Sequence, residues 1–211
     1  MRERSRRPGS QGEHVVQDRC GTWERAQAFY DHQWLDYLNP QMRAFIGRQE
    51  MVFIATADSQ GDCDASFRAG LPGFVHILDE KTLTYPEYRG NGVKASLGNI
   101  TENPHIGLLF IDFFEAKIGL HVNGRAQILS SEELLQRPAL SEGLRADITI
   151  EGGRRPEQWV LVTVEEAYIH CSKHIPLLHK REQEVEWGTD SVRVKGGDYF
   201  KAKDSPRGGT Q

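Results

Sequence analysis

Four side chains with hydrogen-bond donors, Arg89, Lys94, Ser96 and Asn99, surround the tight run Gly90-Asn91-Gly92. Two cations and two neutral donors beside a turn that permits positive φ suit one kind of chemistry above others, the holding of a phosphate. Val93, Leu97 and Ile100 repeat at helical spacing, so a helix from Val93 to about Asn103 is expected to begin inside that turn. Its first N–H groups lack intrahelical partners and face the loop, and the positive helix end adds to their attraction for an anion. Further upstream, Ser66 and Arg68 lie two apart in a strand-like stretch and therefore share one face.

Nothing in the sequence spaces a nucleophile, a base and an orienting group, and G-x-S-x-G, H-E-x-x-H and P-loop motifs are absent. No catalytic residue is assigned. His170, Cys171 and His174 fall within five residues, but a zinc site usually brings four ligands in two spaced pairs, so no metal is expected. The chemistry must then come from a cofactor.

Thr82 to Tyr85 alternate as a strand, which Pro86 is expected to end because it has no N–H to give. After the helix, Asn103-Pro104 leads into an apolar strand from His105 to Phe113. Two helices are expected before any strand. One covers Trp23 to Asp36; the other is capped by Asn39, with Pro40 at its first position, and runs to about Gln49. Met51 to Ala57 is the first strand and Cys63 to Gly70 its hairpin partner, with Phe74 to Leu78 continuing the meander. Gly119 to Leu129 places Leu120, Val122, Gly124 and Ala126 on one side and His121, Asn123 and Arg125 on the other. Ser130 and Glu133 form a capping box, residues 137–156 read as a helix and a surface loop, and Gln158 to Cys171 is the last strand. Residues 1–20 and 201–211 read as disordered tails. One domain spans 21–200, with helices over 23–49, a barrel core over about 50–175 and a charged helical segment over 175–200.

The successive segments TLTYP, EYRGNGVKAS, LGNITENP and HIGLLFIDF resemble the FMN-binding split-barrel family, pyridoxamine 5′-phosphate oxidase-like proteins, and within it the predicted flavin-nucleotide-binding branch. LHVNGRA and AYIHCSKHI extend the resemblance, which covers roughly residues 50–175. Where the oxidase carries Ser-Arg-Lys at the helix start, this chain has Lys94-Ala95-Ser96. Where the oxidase brings a glutamine to the flavin from its partner subunit, this chain has Gly119.

The resemblance implies an α+β fold, mainly β with flanking helices, built on an antiparallel six-stranded split β-barrel. It implies FMN as cofactor, held by Ser66, Arg68, Tyr85, Pro86, Tyr88, Arg89, Gly90, Asn91, Lys94, Ser96, Asn99 and Trp187. Arg68 is then the cation that the second strand sends toward the phosphate, and Arg68→Ala or Ser96→Ala is expected to weaken FMN without unfolding the chain. The implied activity is flavin-dependent oxidoreduction of a small substrate, with a nicotinamide nucleotide as possible partner. The alternatives are a flavin carrier, store or sensor, or a split barrel that uses haem or a deazaflavin. The implied assembly is a homodimer with flavin sites at its interface, Trp187 reaching toward the partner's flavin.

Composition limits the remaining choices. A net charge of −4 over 211 residues argues against a nucleic-acid footprint, and no stretch approaches the ~20 apolar residues of a membrane span. Three widely spaced cysteines suit a reducing compartment and a cytoplasmic location.

Overall fold

A computed structural model describes residues 8–205. In chain order the elements are α1 (Gln11–Cys20), α2 (Trp23–Gln33), β1 (Trp34–Leu35), α3 (Pro40–Ile46), β2 (Met51–Ala57), β3 (Cys63–Ala69), β4 (His76–Ile77) and β5 (Thr82–Glu87). They continue with α4 (Ala95–Glu102), β6 (His105–Asp112), β7 (Ile118–Leu129), α5 (Ser131–Leu135), α6 (Glu142–Thr149) and β8 (Gln158–His170). All strand pairs are antiparallel, in the order β3-β2-β6-β7-β8-β5-β4, with β1 added beside β8. Six of the eight strands have six or more residues, which gives the α+β split-barrel architecture with two short accessory strands.

Alternation of side chains builds the core. Val52 and Ile54, Leu83 and Tyr85, Leu108 and Phe110, Leu120 and Val122, and Val160 and Val162 point inward from five strands and are almost wholly buried. The first half of β8 is buried on both faces. Trp159 and Leu161 pack on a second cluster with Leu129, Leu134, Leu144 and Ile148, under α5 and α6. Register shifts between Asn123 and Gly124, where Glu165 of β8 is the extra residue. Gly124 is needed there, because a Cβ would sit 2.0 Å from the Thr163 carbonyl oxygen.

The other face of the sheet is also largely apolar. Phe67, Phe53, Leu109, His121 and Tyr168 stand opposite one another in turn across β3, β2, β6, β7 and β8. Ala65, Ala55 and Gly107 form the parallel row below.

Several expectations need correction. The helix expected over Trp23 to Asp36 ends at Gln33, and Trp34–Leu35 pairs with β8, so a strand precedes α3. Residues 11–20 form a helix and not a mobile tail, started by Ser10 and Glu13 as a reciprocal capping box and ended by Gly21 at φ 63°; residues 1–7 and 206–211 lie outside the described residues. The strand runs through Pro86 to Glu87. Beyond Thr84 the β4 side of β5 has no partner strand, and there a missing N–H leaves no ladder bond unmade. Segment 175–200 contains no α-helix; its first part is tied to the sheet by the Leu178 N–H donating to the Phe113 carbonyl and by Lys180 donating to Glu50, and residues 187–200 form successive turns. Val93, expected on the helix's apolar face, precedes α4 and is exposed. Among the described residues, no helix is long and apolar enough to cross a membrane.

Candidate functional site

A cavity of about 560 Å³ lies where β3, the end of β5, the following loop and the start of α4 meet. Ser66, Arg68, Tyr88, Arg89, Gly90, Asn91, Lys94 and Ser96 all line it, so the structure brings together eight of the twelve expected residues from separate elements. The loop is shaped locally. Gly92 has φ +86°, and the Asn91 side-chain oxygen accepts the Val93 N–H at 3.0 Å. A Cβ built on Gly90 or Gly92 meets nothing within 4 Å, so a ligand can approach the backbone there. The first helical turn of α4 follows, with Ala95 exposed and Ser96 and Leu97 buried. Its N-cap is Lys94, held in the left-handed region at φ 56°, and no side chain caps the helix.

Each expected cation already faces a carboxylate. Arg68 Nε donates to Glu87 Oε1 at 2.7 Å, and its Nη1 donates to Ser66 Oγ at 2.7 Å and to the Phe67 carbonyl at 3.0 Å. Glu87 is only 7% exposed, so this pair is fixed and nearly dry. Arg89 bonds Asp190 at 2.5 Å and Lys94 bonds Glu157, but these four side chains are more than a third exposed. Pairs of that kind contribute about 0–1 kcal/mol and exchange readily for a better anion. Arg89 and Lys94 are therefore free to turn to a phosphate, whereas Arg68 is committed to Glu87.

The other four expected residues, Tyr85, Pro86, Asn99 and Trp187, do not line the cavity. Asn99 Nδ2 donates to Thr56 Oγ1 at 3.1 Å and ties α4 to β2. Ser96 lines the cavity but is 3% exposed, and its hydroxyl donates to Asp64 at 3.2 Å, which ties α4 to β3. Tyr85 is fully buried behind the Arg68–Glu87 pair, and Pro86 is buried beside it within β5. The Tyr85 hydroxyl finds no hydrogen-bond partner among the described residues. Burial first and the Glu87 carboxylate second push its pKa well above the usual phenol range, with Arg68 opposing. Trp187 packs on this chain's own Tyr88, rings 5.3 Å apart, with its backbone against Gly153.

Sequence reasoning missed Glu87 and Asp64, the acids that organise the cavity floor. Glu87 was legible in principle, since it lies two positions beyond Tyr85 on the same strand face. Ending the strand at Pro86 hid it.

A split antiparallel sheet with an uncapped helix start and a glycine loop at the rim of one cavity defines the class: a split-barrel protein with cationic side chains gathered at that cavity. Residues 38–171 match the pyridoxamine 5′-phosphate oxidase family, and the chain belongs to that family. HupZ from Group A Streptococcus is similar in structure at 22% identity, with a TM-score of 0.45 over 63% of this chain and 93% of that one. A putative pyridoxamine 5′-phosphate oxidase from Lactobacillus delbrueckii gives 17% and 0.44 over 64% and 98%. HutZ, the heme storage protein from Vibrio cholerae, gives 15% and 0.40 over 63% and 94%. Comparison with curated protein sequences gives no match.

Proposed function

We propose that the cavity holds the phosphate end of FMN and that the chain is a flavin-dependent oxidoreductase acting on a small molecule, with a nicotinamide nucleotide as electron partner. One observation carries this reading: cations, hydroxyls, an open glycine loop and an uncapped helix start converge on one cavity. The donor set fits the group. The first-turn N–H groups of α4, Lys94, Arg89 and Ser66 would hold the phosphate, and the Tyr88 and Phe67 rings supply apolar wall beside it. FMN when bound supplies hydride and electron transfer. The chain's own part is to bind, orient and cover it.

Cover comes from a second copy. Phe67 belongs both to the cavity and to the apolar row on the outer sheet face, so a partner seated on that row also closes the cavity mouth. A two-fold axis then makes two equivalent sites.

The absorption spectrum of the protein as purified gives the first test, flavin bands being expected; a Soret band or the spectrum of a deazaflavin overturns the reading. Titration follows. Two charge-assisted bonds to the phosphate contribute roughly 3–6 kcal/mol, so FMN should bind at least about a hundredfold tighter than riboflavin. Equal affinities remove the phosphate cradle. Oxidation of NADH or NADPH by the FMN-loaded protein then separates an enzyme from a carrier, which leaves the nucleotide unoxidised.

A further inference from the structure

We propose that the crevice between the N-terminal helix pair and the outer face of β7 and β8 is a binding site for a small organic ammonium ion. The crevice encloses about 290 Å³ and is walled by Phe29, Tyr30, Trp34 and Tyr168, with Glu13 and Glu166. Those two carboxylates are the charged groups of the wall; no lysine, arginine or histidine lines it among the described residues.

The aromatic wall is built by the fold and not by one flexible segment. Trp34 stands opposite Tyr168 in the β1–β8 pair, and Phe29 of α2 meets Tyr168 edge-on at 5.8 Å with the ring planes at 80°. Tyr30 follows Phe29 at 6.3 Å between ring centres. Ring faces carry the negative side of the aromatic quadrupole, so they attract a cation while accepting its alkyl groups as apolar surface.

Both carboxylates are oriented before any ligand arrives. Asn123 Nδ2 donates to Glu166 Oε2 at 3.1 Å. Glu13 accepts the Ser10 N–H at 3.2 Å on one oxygen and the Tyr30 hydroxyl at 3.3 Å on the other, while Gln17 Nε2 donates to that hydroxyl at 2.8 Å. The negative field registers on Tyr168, whose hydroxyl pKa is raised by burial, against a hydrogen bond from Asn123, and further by Glu166, Glu13 and Tyr30. Among the described residues of the wall, the charge disfavours an anion. The volume stands at the lower end of ligand sites, roughly 300 Å³, which fits a small amine and excludes a dinucleotide.

The occupant is therefore a quaternary or primary alkylammonium, and this site is independent of the flavin cavity. Calorimetric titration of the full chain with choline chloride and with ethylammonium chloride, at constant ionic strength, tests it and ranks the two head groups. Saturable binding of at least one is expected, and 3,3-dimethylbutan-1-ol, which has the shape of choline without its charge, should bind at least about tenfold weaker than choline or show no binding. Glu166→Gln, which keeps an acceptor for Asn123, and Tyr30→Leu should each lower the affinity of the ammonium ion about tenfold or more. If Tyr30→Leu loosens the helix pair, Glu166→Gln and the uncharged probe decide alone. Absence of saturable binding for both ammonium ions, equal affinity for the alcohol, or unchanged affinity in Glu166→Gln overturns the proposal.

Discussion

Arg68 is the residue whose meaning changes most between sequence and structure. As a lone cation on a strand face it is a phosphate ligand; with Glu87 at 2.7 Å and only 7% exposed, it is half of a nearly buried ion pair. Arg68→Ala then leaves a buried carboxylate without its partner, which should destabilise the fold by about 3–5 kcal/mol in urea unfolding. The expectation that this substitution spares the fold is thereby revised. Arg68→Ala combined with Glu87→Gln should recover much of the loss, and equal stability of the single and double variants would show that the pair is not what holds the site. Two histidines add a pH dependence. Burial holds His76 below 6.5 with Asp147 opposing, and burial together with His170 does the same for His121. A histidine with a lowered folded pKa stays neutral in the fold while the unfolded chain takes up the proton. Its contribution is therefore complete above the unfolded value of 6.5 and is lost as pH falls toward the folded one. The melting temperature should drop between about pH 7.5 and 5.5. His121→Phe should shrink that drop, and an unchanged pH profile in the variant would remove His121 as a cause.

At the scale of elements, the unusual feature is the start of α4. Most helices begin with an extended residue whose side chain caps the first turn. This one begins with Lys94 in the left-handed region and has no cap, so its N–H groups remain available and some backbone strain is held at the cavity rim. Lys94→Gly should relieve that strain, raising stability by roughly 1 kcal/mol, while weakening FMN through loss of the cation. A variant that loses stability and keeps FMN affinity would assign Lys94 a structural role alone. The strands and most helices were legible because alternation and caps are local: Met51–Ala57 is found where expected, and so are the Asn39 cap and the Ser130–Glu133 box. Glu87 and Asp64 were not, because their partners come from β3 and α4, across gaps of 19 and 32 residues that no local pattern reports. The Arg68–Glu87 contact also has a role for the sheet. β3 ends the strand order at one side and β5 lies next to its other end, so this pair joins two strands that share no ladder.

Across the whole molecule, β6 is the strand that bears most on the proposed dimer. HIGLLFID is apolar at nearly every position; Ile106, Leu108 and Phe110 fill the core, while Leu109 and Ile111 remain on the other face. A strand facing water on one side normally alternates with polar residues there. Here Phe53 and Phe67 extend the apolar face, their rings 5.4 Å apart and still 40% and 48% exposed. The proposed dimer buries this face about a two-fold axis, since large exposed apolar patches mark protein contacts. The unaltered 23.9 kDa chain should therefore sediment at twice its mass, with one FMN per chain. Phe53→Glu places a charge on each copy of the face without touching the core or the cavity wall. It should give a folded monomer, recognised by an unchanged far-ultraviolet circular dichroism spectrum, with FMN affinity lowered at least about tenfold because the cavity mouth loses its cover. An unaltered chain that sediments as a monomer and still holds one FMN tightly would refute the shared site, leaving the cavity walls of a single copy to account for all of the binding.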